Sequence, residues 1–166
     1  MHILPGKFTM EINARNVRQW ARLGPRGFFG QAILSIADDY DDLMVMSADL
    51  GSSSGLERFR ISYPEKFLNT GIAEQNLVGV AAGLAKEGHN VFATSFSPFI
   101  AMRASDQVRM NMGYMNLNIK AVAIGSGIGM GFLGNSHFGI EDAAVIRSIP
   151  NVTVVSPADC AEVLQT

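Results

Sequence analysis

The chain passes from a predicted strand into a predicted helix within one stretch, Phe67-Leu68-Asn69-Thr70-Gly71-Ile72-Ala73-Glu74-Gln75-Asn76-Leu77. Residues 67–70 form a short, partly apolar run that is typical of a strand. From Ala73 onward the apolar residues recur at helical spacing, so a helix is predicted over residues 73–87, with Gly88 after its end. A strand that leads directly into a helix is a building unit of α/β folds.

The same alternation of strand and helix continues along the rest of the chain. The predicted strands are residues 43–47, 67–70, 90–95, 119–124 and 152–155. The predicted helices are residues 11–21, 28–39, 73–87, 99–112, 142–147 and 157–165, with a break at residues 24–27. This order predicts an α/β fold: a doubly wound, mostly parallel sheet with helices on both faces.

Composition narrows the class of protein. The chain has 166 residues, of which 48% are hydrophobic and 17% charged, as expected for one globular domain with a core. A net charge of −2, without basic runs among aromatic residues, argues against a nucleic-acid partner. No stretch approaches the ~20 apolar residues of a membrane span, and residues 1–10 lack a signal-peptide core. The single cysteine, Cys160, fits a reducing compartment, so we expect a cytoplasmic protein.

Candidate functional residues lie where the predicted strands end, because ligands of doubly wound sheets bind at the carboxyl ends of the strands. Glu74 lies among small and apolar residues and needs a partner if it is buried, although the helix dipole alone also favours a glutamate there. Phe96 and Phe99 could stack on a flat heterocycle or simply pack in the core. His137 follows a glycine-rich loop and is a candidate acid–base group. No cysteine or histidine spacing predicts a zinc site.

Six separated motifs resemble the central, pyrimidine-binding domain of transketolases. They agree with that family in order and spacing from about Phe28 to the end of the sequence. The motifs are residues 47–50, 63–77, 96–99, 103–109, 136–142 and 156–159. The resemblance implies a thiamine-diphosphate-binding fold and two-carbon ketol transfer between sugar phosphates.

The resemblance also implies which residues contact the cofactor. Glu74 matches the glutamate that hydrogen-bonds the N1′ nitrogen of the aminopyrimidine and so activates the cofactor. Phe99 matches the aromatic residue that stacks on the pyrimidine, and Phe96 matches one that lines the same pocket. Asp49 and Leu50 match the strand-end loop beside the cofactor.

The implied substrate contacts are fewer and include two departures from the family. His137 matches a histidine that reaches toward substrate hydroxyls or the donor carbonyl, and Ser53 and Arg26 fall near the places that hold the acceptor's phosphate. Leu133 stands where many transketolases carry an aspartate, and Gly125 stands where a second histidine often contacts the substrate. The loss of two polar groups predicts weaker recognition of a polyhydroxylated sugar phosphate.

The expected organisation is one pyrimidine-binding domain over residues 1–166, in which the first ~25 residues form a helical extension. The family's Gly-Asp-Gly signature, which marks the domain that binds the diphosphate and a magnesium or calcium ion, is not in the sequence. The carboxyl-terminal transketolase domain is expected to be absent as well. We therefore predict a split transketolase, in which this chain binds no metal itself and joins a homo- or hetero-oligomer with a second polypeptide carrying the diphosphate domain.

Four alternatives remain open at this point. Residues 103–108 also resemble deoxyxylulose-phosphate synthase, and the beta subunits of 2-oxoacid dehydrogenases carry a similar Asp-Gln-Val. A non-catalytic interaction module could have kept the same fold. An unrelated α/β binding domain would require all six motif matches to be accidental.

Overall fold

The computed structural model describes residues 10–166. The expectations for residues 1–9, which are the start of the helical extension and the lack of a signal-peptide core, lie outside the described residues. Within residues 10–166, every helix is too short or too polar to cross a lipid bilayer.

Four parallel strands form the sheet of the described region, in the order β2-β1-β3-β4. Val45 in the central strand lies opposite Phe67 on one side and Phe92 on the other. The strands are β1 (Leu43–Ser47), β2 (Phe67–Asn69), β3 (Asn90–Phe96) and β4 (Ile119–Ile124). Because all pairs are parallel, the four carboxyl ends meet at one edge of the sheet.

Residues 10–166 contain six α-helices. They are α1 (Ala14–Ser35), α2 (Glu57–Ser62), α3 (Glu74–Lys86), α4 (Ser105–Val108), α5 (Asp142–Arg147) and α6 (Cys160–Gln165). The predicted break is confirmed as a kink in α1, where Gly24 adopts φ 71° and ψ 163° and Pro25 follows. The predicted helix over residues 99–112 is α4 with a π-helical segment on each side, Phe99–Arg103 and Arg109–Tyr114.

The two faces of the sheet are covered by different helices. Side chains alternate along β1, so Met44 and Met46 point to one side while Leu43 and Val45 point to the other. The first pair packs with apolar residues of α3, and the second pair packs with residues of α1 and α2. The predicted doubly wound α/β fold is therefore confirmed.

The predicted fifth strand, residues 152–155, is wrong. Asn151 turns the chain with φ 64° and donates its side-chain amide to the Gly113 carbonyl at 3.0 Å. Val152 then packs in a cluster with helical residues such as Val108, while Val155 is 58% exposed. The segment makes no strand ladder with the described residues.

The last helix leaves the sheet and packs on the first. α6 begins at Cys160, after Asp159 caps its amino terminus through the amides of Ala161 and Glu162. Cys160 lies in one buried cluster with Trp20 and Phe28 of α1. The amino-terminal half of α1 is thereby fixed to the domain.

A close approach between α1 and the loop after β1 gives a test of this packing. A Cβ atom on Gly30 would lie 1.9 Å from the Gly55 carbonyl oxygen, so one backbone segment must shift to admit a side chain. We expect Gly30→Ala to lower the free energy of unfolding by about 2–3 kcal/mol, measured by urea denaturation. The matched control is Gly79→Ala, at an exposed position of α3 where the new Cβ meets nothing within 4 Å. It should raise the free energy of unfolding by about 0.5–1 kcal/mol. Equal stability of the two variants would contradict the described contact.

Candidate functional site

Glu74 is the first residue of α3 and lies at the carboxyl edge of the sheet, with 2% of its surface exposed. Its Oε1 accepts a hydrogen bond from the Ser95 hydroxyl of β3 at 3.2 Å. Its Oε2 accepts one from Nη1 of Arg103 at 2.8 Å. The expectation that Glu74 would need a partner if buried agrees with this geometry.

Arg103 lies between Glu74 and Phe99. Its guanidinium carbon is 4.1 Å from the centre of the Phe99 ring, while Nη1 donates to the glutamate. The arginine side chain is 48% exposed and reaches in from the surface. The aromatic face and the buried carboxylate together therefore hold a planar, cationic hydrogen-bond donor.

Phe96, Phe99 and His137 form an aromatic cluster next to this pair. The ring centres lie 5.9 Å apart for the two phenylalanines, and the His137 ring lies 5.5 Å from Phe96 and 5.1 Å from Phe99, all in edge-on arrangements. Phe96 is 6% exposed and packs with Ile124 and Met130, so it is a core residue. Phe99 is only half-buried, and the Arg103 guanidinium lies over its ring.

The loop after β1 joins the same edge. Asp49 has φ 60°, its amide donates to the Asn69 side chain at 3.0 Å, and the Asn69 amide donates back to Asp49 Oδ1 at 3.2 Å. Leu50 packs against the cluster that contains Phe96 and Phe99. The ends of β1 and β2 are thus tied together beside the aromatic cluster.

The residues predicted to contact the substrate, and the two departures from the family, make different contacts in the structure. Arg26 lies beside the glycine-rich loop after β4, with Nη1 3.9 Å from the Met130 sulfur. Ser53 is exposed in the turn between β1 and α2 and shares no hydrogen bond with the other candidates among the described residues. Gly125 has φ 72°, and a Cβ there would lie 2.9 Å from the Met130 side chain, so Met130 fills the space a larger residue would need. Leu133 is 37% exposed.

Asp142 is a buried carboxylate that the sequence analysis did not single out. Its Oδ2 accepts hydrogen bonds from the hydroxyls of Ser97, after β3, and Ser126, after β4. Its Oδ1 accepts from the Ala143 amide at 2.6 Å. One carboxylate therefore joins the ends of two strands to the start of α5.

Gly139 makes this junction possible. Its amide and carbonyl exchange hydrogen bonds of 2.9 Å with Gly127. A Cβ on Gly139 would lie 2.8 Å from Asp142 Oδ2 and 2.9 Å from the Ser97 hydroxyl oxygen. The loop that carries His137 is thus closed against the end of β3 only because this residue has no side chain.

The pKa of Asp142 lies below that of an ordinary aspartate. Burial by itself raises the pKa, but the hydrogen bonds from Ser126, Ser97 and the Ala143 amide favour the ionised form and outweigh burial. Asp142 is thus held as a carboxylate.

Metal ligands are not grouped in the described region: residues 10–166 contain no cluster of three or more His, Cys, Asp or Glu side chains arranged to hold an ion. Instead, large apolar side chains are exposed after the carboxyl ends of β2 and β4. We call this set the apolar rim, and it consists of Ile72, Ile128, Phe132 and Ile140, which are 78%, 70%, 93% and 69% exposed.

Residues 23–166 match a protein-family model described as the pyrimidine binding domain of transketolase. A Methanocaldococcus jannaschii protein, provisionally named a transketolase C-terminal section, is 43% identical over 136 residues, which cover 82% of this chain and 43% of that protein.

Solved structures of transketolases are also similar to this chain. One described as "Split gene transketolase, inactive beta4 tetramer" has a TM-score of 0.75 and 40% identity, covering 85% of this chain and 45% of that one. Transketolase from Campylobacter jejuni has a TM-score of 0.78 and 25% identity, covering 86% of this chain and 23% of its own. The chain thus spans less than half the length of each of these relatives.

The Asp142 junction predicts a pH-dependent stability difference. A lowered pKa stabilises the fold above the pKa of the unfolded state, and this contribution is lost as the pH falls through the lower pKa of the folded state. We expect Asp142→Asn to reduce the free energy of unfolding by about 1–3 kcal/mol at pH 7, and this difference to shrink below about pH 4. Urea denaturation across pH measures it. Asp106→Asn, which alters an exposed ion pair, is the control, and a difference that does not vary with pH would contradict the assignment.

Proposed function

Because the chain belongs to the family of transketolase pyrimidine-binding domains, we propose that it is the pyrimidine-binding part of a thiamine-diphosphate-dependent transketolase and acts together with a diphosphate-binding domain on a second polypeptide. The observation that carries this proposal is that one side chain, Arg103, contacts both the buried Glu74 carboxylate and the half-buried ring of Phe99 at the carboxyl edge of a parallel sheet. A carboxylate and an aromatic face are the two groups that hold a flat, nitrogen-containing ring.

The residues present fit an aminopyrimidine ring. Arg103 already places a planar group with N–H donors on Phe99 and on Glu74, at 4.1 Å and 2.8 Å. The guanidinium stands in for a heterocycle that stacks on the same ring and bonds the same carboxylate. Leu50 and Phe96 add apolar walls through the cluster that they share with Phe99.

In this proposal each residue has a defined task. The cofactor, when bound, supplies the nucleophilic carbon that takes a two-carbon unit from a ketose. Glu74 holds the proton shared with a ring nitrogen at its carboxylate, and its burial keeps water away from that proton. Phe99 orients the ring by stacking. Asp49, fixed by Asn69, shapes the wall formed by the loop after β1.

His137 is the residue assigned to the substrate. The Ser136 hydroxyl lies 3.0 Å from its Nδ1, which leaves Nε2 for a substrate oxygen. Arg26 is assigned to a substrate phosphate, since it lies beside the loop that carries His137. Met130 fills the space beside Gly125, so the sugar phosphate that binds should present few hydroxyls toward Gly125 and Leu133.

The partner is assigned from the apolar rim and from the relatives. A monomer rarely exposes several large apolar side chains around one site unless the surface meets another protein. The relatives named or described above as a section or as a split-gene product support an arrangement in which the catalytic unit is divided between polypeptides. The diphosphate and its metal ion are assigned to that partner.

Deoxyxylulose-phosphate synthase activity is the main alternative. It differs in the donor, which is pyruvate rather than a ketose phosphate. A donor comparison on the assembled pair separates the two reactions, and no turnover with either donor would favour a non-catalytic module of the same fold.

The role of Glu74 gives the first test. We expect Glu74→Gln, in the full-length protein assembled with its partner, to reduce two-carbon transfer by about 10²- to 10⁴-fold, because an amide cannot hold the shared proton. The matched control is Glu87→Gln, at the exposed opposite end of α3, which should keep full activity. Wild-type rates in Glu74→Gln would exclude Glu74 as the activating group.

The apolar rim gives the second test. Phe132→Asp should weaken binding to the polypeptide of the same organism that carries the Gly-Asp-Gly signature by at least about tenfold, since a charge would enter an apolar contact. Tyr114→Asp is the control, because Tyr114 is similarly exposed, at 79%, but precedes β4 at the opposite edge of the sheet. Titration calorimetry measures both. Equal losses, or none, would contradict the assignment of the rim.

A further inference from the structure

Arg103 contacts both groups that the proposed function assigns to the aminopyrimidine. Its Nη1 lies 2.8 Å from Glu74 Oε2, and its guanidinium carbon lies 4.1 Å from the centre of the Phe99 ring. A ring that stacks on this face of Phe99 and bonds the same carboxylate oxygen would overlap the guanidinium. The arginine and such a ring therefore exclude each other.

Burial shows which side chain must move. The Glu74 carboxylate is 2% exposed, so a ligand reaches it only after a covering group is displaced. Of its two hydrogen-bond donors, Ser95 is fully buried within β3 and cannot leave without disrupting the sheet. Arg103 is 48% exposed and lies on a long, flexible side chain. The arginine is thus the movable cover of this carboxylate.

The backbone at Arg103 is held next to the start of α3. Arg103 ends a π-helical segment that begins at Phe99, and its carbonyl accepts a hydrogen bond from the Gln75 side chain at 3.1 Å. Gln75 follows Glu74 in α3. This bond fixes the arginine backbone next to the start of α3, while the guanidinium remains able to rotate toward solvent.

We propose that Arg103 is a gate residue that competes with the cofactor's aminopyrimidine for Glu74 and Phe99 and so sets the affinity for thiamine diphosphate. The proposal rests on the proposed function, since it uses the same two contacts. Cofactor binding must break one charge-assisted hydrogen bond and one cation–π contact before the ring is seated. Removing the guanidinium removes that competition.

The test is a calorimetric titration of the assembled, full-length pair with thiamine diphosphate at saturating magnesium. Arg103→Met keeps an unbranched apolar side chain and should lower the Kd by about threefold to thirtyfold, the range for losing one half-exposed, charge-assisted contact. Arg103→Lys keeps the charge but not the planar group and should give a smaller decrease. Arg109→Met is the matched control, because Arg109 pairs with Asp106 rather than Glu74 and should leave the Kd unchanged.

The outcomes separate the gate from the proposed function. In a Glu74→Gln background the effect of Arg103→Met should become smaller, because the two residues no longer form an ion pair. A higher or unchanged Kd in Arg103→Met would overturn the gate alone, provided that Glu74→Gln still raises the Kd of the pair. Arg103 would then be a residue that supports Glu74. Absence of cofactor binding by the wild-type pair overturns the proposed function and the gate with it.

Discussion

The buried carboxylate of Glu74 constrains the whole carboxyl edge of this sheet. A glutamate side chain with 2% exposure is tolerated only if both of its oxygens are hydrogen-bonded, because burying an unpaired polar or charged group costs several kcal/mol. The two donors come from different elements, Ser95 in β3 and Arg103 in the π-helical segment after it. The hydrogen bonds to Glu74 therefore fix the start of α3 against β3. The same arginine also contacts the ring of Phe99.

Asp142 is a second buried carboxylate with paired oxygens, on the other side of the aromatic cluster. Its donors come from residues 45 and 16 positions away in the sequence, so one side chain joins segments that the strands alone would leave independent. The loop that carries His137 lies against Phe96 and Phe99 because of this junction and because Gly139 has no Cβ. Two buried carboxylates thus position one aromatic cluster.

The sequence predicted features that depend on local pattern and missed those that depend on distant partners. Leu43–Ser47 and Ile119–Ile124 were predictable as strands because each is a short, mostly apolar run that follows a polar residue and leads into a loop. Residues 152–155 have the same pattern, yet Asn151 turns them away from the sheet, and periodicity cannot distinguish the two cases. Glu74 could be singled out from its apolar neighbours. Asp142 could not, because its donors are separated in sequence.

The pairing of Glu74 with a cation of its own chain has a consequence for assembly. If the carboxylate depended on a cofactor for its second partner, the domain would carry a poorly compensated buried charge until the cofactor and the diphosphate domain arrived. Arg103 supplies that partner internally, so the buried carboxylate is compensated within the described residues alone. The same contact opposes entry of the ring, which makes cofactor affinity and stability of the separate chain opposing properties of one ion pair.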